Sequence, residues 1–135
     1  MLEPSEIVEL FASLFEAGSL SNKSVLITAG PTQEPIDPVR YVTNRSSGKM
    51  GYALAEAAVE AGAQVTLVSG PVNIKPPASC NLVPVETAQE MYDAVMHHVR
   101  SKDVYIGTAA VADYSPSKVE SSKIKKKGNN EALVL

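Results

Sequence analysis

Three short apolar runs constrain this chain more than any other feature: "SVLITAG", "QVTLVSG" and "DVYIGTAA", each of which reaches a glycine as it ends or just before. An unbroken apolar run of this length, with turn residues behind it, reads as a strand buried on both faces, because neither face then needs polar residues. The runs predict strands over residues 25–29, from Gln64 to the glycine at 70, and over 104–107, with "NLVPVE" a weaker strand before the last. Between them lie helical stretches. One is predicted over residues 48–61, where Ala53, Ala55, Ala57, Ala58 and Ala61 are small enough to sit close to a sheet and Gly62 ends the helix. A second is predicted over residues 88–99, opened by a capping box of Thr87 and Glu90. Consecutive parallel strands need crossover connections, so strands alternating with helices predict a Rossmann-like three-layer α/β/α sandwich with a mostly parallel sheet.

Ahead of the first strand, Ile7, Leu10, Phe11, Leu14 and Phe15 recur at helical spacing and predict an amphipathic packing helix over residues 4–17, stopped by Gly18. A chain of 135 residues holds one core of the usual size. It divides into a helix and linker, residues 1–22, and a domain over 23–135. With 44% hydrophobic residues, 20% charged and a net charge of −3, it gives no electrostatic reason to expect nucleic acid as a partner. No apolar run approaches the roughly 20 residues of a membrane span. The acidic start and the single cysteine, Cys80, suit a cytoplasmic protein. His97 and His98 are adjacent, so on a helix they point to different faces and make a poor metal pair.

Open parallel sheets bind ligands outside the carboxyl ends of their strands. That rule selects residues 30–51, 69–77, Thr87 and 107–113. Within the first segment, Pro31, Pro35 and Pro38 oppose regular structure and predict a stiff irregular loop. The loop ends in "YVTNRSSGKMG", which gathers Asn44, Ser46, Ser47, Gly48 and Lys49 at a helix entrance, where unpaired N–H groups favour an anion. Two familiar phosphate motifs fail here. A Walker loop would need glycine at 43 and Ser or Thr at 50, which are Thr43 and Met50, and a dinucleotide fingerprint would need glycine at Ser46.

"ITAGPTQEPIDPVRYVTNRSSGKMG", "VTLVSGPV", "AAVADY" and "KIKKK" occur in this order in the phosphopantothenoylcysteine synthetase domain of the bacterial bifunctional coenzyme A biosynthesis protein, and the chain resembles that family from about Lys23 onward. The resemblance implies a ligase that joins 4′-phosphopantothenate to cysteine, using CTP in most bacteria through an acyl-cytidylate. It implies a catalytic role for Asn44, which would polarise the acyl carbonyl, with Arg40 on the same loop. Lys123 would neutralise phosphate charge as the intermediate forms. Gly107, Thr108, Ala109 and Asp113 match nucleotide-binding positions, while Ser46, Ser47, Gly48 and Ala110 match substrate or intermediate contacts. Magnesium is expected with the nucleotide, with no ligands assigned. FMN belongs to a decarboxylase domain that the resemblance places ahead of this one, and a homodimer is implied for the complete domain.

The same family continues beyond its lysine motif, so the chain is expected to be cut short at its C terminus and to bind only part of the ligand. Residues after Asp113 are expected to lack packing partners, and Lys125, Lys126 and Lys127 to face solvent. An inactive fragment, a non-catalytic nucleotide-binding module, and a flavin- or NAD-binding protein weakened by the failed fingerprint are the alternatives.

Overall fold

The computed structural model describes residues 18–125, so the helix predicted over residues 4–17, Lys126 and Lys127 lie outside the described residues. In chain order the elements are β1 (Ser24–Ala29), β2 (Gln33–Pro35), β3 (Tyr41–Thr43), α1 (Lys49–Glu60), β4 (Gln64–Ser69), β5 (Asn81–Pro84), α2 (Ala88–His98) running into a 3-10 turn (Val99–Ser101), and β6 (Val104–Gly107). The main sheet has the order β5-β4-β1-β6 and is parallel throughout. The chain steps from β1 through β4 to β5, then α2 carries it back across the sheet to the far side of β1. The order therefore reverses between β1 and β6, the place where such sheets hold ligands.

Period-two alternation along the strands sorts the core into two layers. Val25, Ile27, Ala29, Val65 and Leu67 meet Tyr52, Ala55 and Ala58 of α1 on one face, and Leu26 and Val68 meet Met91 of α2 on the other. Leu26, Ile27 and Leu67 are fully buried, each worth roughly 1.5–3 kcal/mol of burial. The alanines of α1 divide: Ala55 and Ala58 pack against the sheet, whereas Ala53 and Ala57 are exposed. The close approach is made by Gly51, where a Cβ would lie 2.5 Å from both the Ala29 Cβ and the Thr108 hydroxyl oxygen. At the other end, Gly62 donates to the Val59 carbonyl and Ala63 to the Ala58 carbonyl, closing α1 with a Schellman motif.

The segment predicted as an irregular loop instead forms an antiparallel hairpin, with Gln33 opposite Thr43 and Pro35 opposite Tyr41. The prolines are compatible with it because the pair is short and two-stranded, so neither strand is a central one. Its turn is held by the Asp37 side chain, whose Oδ1 accepts from the amides of Val39 and Arg40, both at 2.9 Å, while Ile36 donates to the Arg40 carbonyl at 2.8 Å. The base of the hairpin is tied to α2: Gln33 donates to the Glu86 carbonyl, and the Glu34 carboxylate accepts from the Ala88 amide at 2.8 Å. For the described residues after Asp113, the expectation that packing partners are lacking is also corrected. Glu120 donates its amide to the Ile36 carbonyl and Ile124 donates to Asp37 Oδ2, because the turn leaves acceptors directed outward.

Gly51→Ala should lower the stability of the chain by about 1–3 kcal/mol, since the added methyl has no free space. Ala53→Ser, on the exposed side of the same helix, should stay within about 0.5 kcal/mol. Urea unfolding of the two variants beside the parent measures both effects.

Candidate functional site

At the switch point the pairing of β1 with β6 runs on past both strands. The Thr108 hydroxyl donates to the Thr28 carbonyl at 2.6 Å and the Thr108 amide to the same oxygen at 3.1 Å. Beyond it, Ala110 donates to the Gly30 carbonyl, Thr32 to the Ala110 carbonyl, and Ala112 to the Thr32 hydroxyl at 2.9 Å. The two loops are thus zipped together, and the surface open to a ligand is the rim above them. Thr28 and Thr32, both buried, were not singled out in the sequence. Their only signal there is hydroxyl residues set at and just past the end of an apolar strand.

Onto this rim the structure brings Asn44 and Ala110 into direct contact. Asn44 Nδ2 donates to the Val111 carbonyl at 2.9 Å and to the Ala110 carbonyl at 3.4 Å. Immediately after Asn44 the chain turns back on itself: Ser46 donates its amide to the Asn44 carbonyl, and the Ser46 hydroxyl accepts from the Gly48 amide at 3.4 Å. Gly48 is left-handed, with φ 74°, and α1 begins there without a side-chain cap. Ser46, Ser47 and Lys49 line an open depression of about 320 Å³ together with Val72 and Asn73 from the loop after β4. Lys49 and Asn73 both fall in the segments that the carboxyl-end rule selects, although neither was given a role of its own. Lys49 occupies the first position of α1.

Gly107 and Ala109 line a second depression, about 360 Å³, between β6 and α2, with Thr28, Met91, Tyr92 and Val111. The Thr108 and Ala109 amides are directed at Thr28, at 3.3 and 3.4 Å from its hydroxyl. Asp113 is exposed beyond this loop.

Arg40 and Lys123 belong to a different part of the rim. The Arg40 guanidinium grips Asp37 through Nε at 3.1 Å and through Nη2, which also donates to the Ile124 carbonyl at 3.2 Å. Lys123 is exposed and adjacent to that anchored residue. Asp37, which sequence reasoning missed, is therefore the centre of this group; its signal was an Asp-Pro turn with an arginine three residues on. The Arg40 guanidinium, aided by the amides of Val39, Ile124 and Arg40, holds the Asp37 carboxyl well below the usual aspartate range, against the opposing effect of burial. Among the described residues no group of three His, Cys, Asp or Glu side chains is placed to hold a metal ion. These residues form no metal cage. Nor is any described helix long and apolar enough to cross a membrane.

A carboxyl whose folded pKa is depressed contributes its full stability above its unfolded pKa and loses it progressively as pH falls from there through the folded value. The Asp37 carboxyl carbon should accordingly show no NMR titration between pH 7 and pH 4. A midpoint at or above about 3.9, the ordinary aspartate value, would contradict the geometry described.

Residues 20–135 match the family described as the DNA/pantothenate metabolism flavoprotein C-terminal domain. The chain is 53% identical over 135 residues to the coenzyme A biosynthesis bifunctional protein CoaBC of Vibrio vulnificus (strain YJ016), covering 100% of this chain and 34% of that protein. It is 48% identical to the CoaBC of Bacillus subtilis (strain 168), over 98% of this chain and 34% of that one. The chain thus spans about a third of the length of these curated relatives. Among solved structures, it resembles the C-terminal domain of a coenzyme A biosynthesis bifunctional protein CoaBC with a TM-score of 0.71 and 60% identity, covering 74% of this chain and 50% of that one. A Cab2 mutant in complex with phosphopantothenate-cysteine has a TM-score of 0.66 at 20% identity, covering 89% of this chain and 54% of the other, and shows likeness of fold alone. With 116 consecutive residues matched and the parallel sheet in place, the chain belongs to the DNA/pantothenate metabolism flavoprotein C-terminal domain family.

Proposed function

We propose that the chain acts in coenzyme A biosynthesis as part of a CTP-dependent phosphopantothenate–cysteine ligase. The observation that carries this reading is the contact between Asn44 and the loop at Ala110, two positions that the family motifs assign to one intermediate. The relatives named for coenzyme A biosynthesis support the pathway. The reaction class rests on the motifs.

In this reading the carboxylate of 4′-phosphopantothenate attacks the α-phosphorus of CTP and pyrophosphate leaves. The cysteine amine then attacks the acyl carbon of the cytidylate, CMP leaves, and the amine proton passes to solvent. Each step gathers negative charge on oxygen, which fixed donors stabilise by about 2.7–4 kcal/mol apiece. Asn44 Nδ2 is the donor for the acyl oxygen. Of its two bonds the one to Ala110, at 3.4 Å, is the weaker and the one a substrate oxygen can replace. The depression beside Ser46, Ser47 and Lys49 suits a phosphate group of substrate or intermediate, and the apolar groove at Gly107, Ala109 and Tyr92 suits the nucleoside. Lys123 supplies a cation to the phosphates. Magnesium would enter with the nucleotide rather than on protein carboxylates, since no described side chains cluster to hold it, and would supply further charge neutralisation at the phosphates.

A second reading, binding of nucleotide without turnover, is favoured by one observation: the Thr108 and Ala109 amides are already directed at Thr28 and are poorly placed to add phosphate contacts. Pyrophosphate release from CTP and phosphopantothenate separates the two readings, since a binding module releases none.

In a full-length domain, Asn44→Asp should slow cysteine transfer by about 10²–10³-fold, because an anion then faces the oxygen that must become negative. Pyrophosphate release in the same variant should persist. Lys123→Gln should do the reverse and suppress pyrophosphate release before cysteine is added, with the fold intact because the side chain is exposed. Quantifying pyrophosphate and CMP separately for the two variants tests this division of labour, and an identical pattern in both would refute it.

A further inference from the structure

We propose that Asp37 is a positioning residue, a buried carboxylate that latches the lysine-bearing segment to hairpin β2–β3 and so fixes where Lys123 stands. The Asp37 side chain is fully buried, and its two oxygens have separate tasks. Oδ1 makes the hairpin turn by accepting from the amides of Val39 and Arg40. Oδ2 takes no part in the turn amides. It accepts from the Arg40 guanidinium and from the amide of Ile124 at 3.1 Å, 87 residues away in sequence. Arg40 closes the ring by donating to the Ile124 carbonyl, so both backbone polar groups of Ile124 are held by one ion pair. A second tie lies four residues earlier, where Glu120 donates to the Ile36 carbonyl. Lys123 sits between these anchors, directly beside the one made through two bonds. Its main chain is fixed while its side chain stays exposed.

A turn alone does not require this arrangement. Asparagine forms the same Asx turn through Oδ1, so the charge and the second oxygen of Asp37 are spent on the latch. Asp37→Asn therefore separates the two tasks: the turn acceptor remains, while an N–H group faces the guanidinium and the Ile124 amide, donor against donor. The inference rests on the ligase reading only for what Lys123 does once it is positioned.

The test uses the 135-residue chain as wild type, Asp37→Asn, Lys123→Gln and the double variant, with amide hydrogen exchange and CTP affinity as the two readouts. In Asp37→Asn, exchange at Ile124 should rise by at least about tenfold, the scale of a lost hydrogen bond to a charged group. The Val39, Arg40 and β1 amides should keep their protection. CTP affinity should fall in both single variants, with the double variant no weaker than the worse of them, as expected of two residues acting as a unit. A purely structural role would move stability without that non-additivity. Ile124→Pro removes the donor from the other side and should reproduce the loss of CTP affinity should Asp37→Asn fold poorly. Unchanged exchange at Ile124 in Asp37→Asn overturns the latch, and strictly additive losses of affinity overturn the positioning of Lys123. If exchange rises but no form of the chain binds CTP, the latch stands and the nucleotide reading falls.

Discussion

The carboxyl end of β1 can be approached by three other backbone segments only because side chains are missing where they meet. A Cβ on Gly70, just after β4, would lie 1.8 Å from the Pro31 carbonyl oxygen, and one on Gly51, in the first turn of α1, would strike Ala29 and Thr108. The exit of β4, the entrance of α1 and the exit of β6 thus converge on residues 29–31. Helix α1 lies close enough for Tyr52 to donate its hydroxyl to the Ser69 side chain at 3.1 Å inside the core. Widening any of these contacts would separate the helix entrance from the loop carrying Ala110, and the rim would lose the proximity on which the proposed chemistry rests.

Close approach of backbone creates an obligation to satisfy buried polar groups, and the hydroxyls at the carboxyl edge meet it. Thr28 serves Thr108 and Ala109, Thr32 serves Ala112, and Ser69 passes a bond from Tyr52 to the Gly70 carbonyl. Among the described residues no buried side-chain nitrogen or oxygen lacks a partner. An unmet group of this kind costs about 1–3 kcal/mol, so these hydroxyls decide whether the loops can close at all. The same bonds direct the amides after β6 inward, which leaves side chains and the start of α1 to face a ligand.

The strands, their parallel arrangement and both helices are legible in the sequence because each rests on a local signal: an apolar run such as "SVLITAG", the Thr87 and Glu90 capping box, the glycine at 62. The hairpin is not, since residues 33–35 and 41–43 are too short for alternation to register and Pro35 argues the other way. What forms it is a side chain, Asp37, acting on amides two and three residues ahead. The alanine pattern of α1 overstates the packed face, because composition counts small residues without regard to which side they point. For the candidate site, the motifs single out Asn44 and Ala110 separately but give no hint that the Asn44 amide bonds the Ala110 and Val111 carbonyls, or that Arg40 is engaged by Asp37. Contacts such as that between Asp37 and Ile124 depend on where distant segments are carried by the sheet, and no window of sequence contains both.

The start of α1 breaks two local rules at once, and the breach is informative. Helix entrances favour a Ser, Thr, Asp or Asn cap and acidic residues in the first turn, each acid contributing about 0.3–1 kcal/mol through the helix dipole. Here the capping position is a left-handed glycine without a side-chain bond, the first turn contains no acid, and its first residue is Lys49. By contrast α2, in the same chain, has a complete capping box with Glu90 in its first turn and the Glu34 carboxylate on the Ala88 amide. Foldability cannot be the reason for the difference, since the chain supplies the favourable arrangement where it is needed for stability alone. Local rules are commonly relinquished at sites of function. A cation, two serines and uncapped amides around one depression form an entrance that an anion would stabilise, in keeping with the phosphate site proposed above.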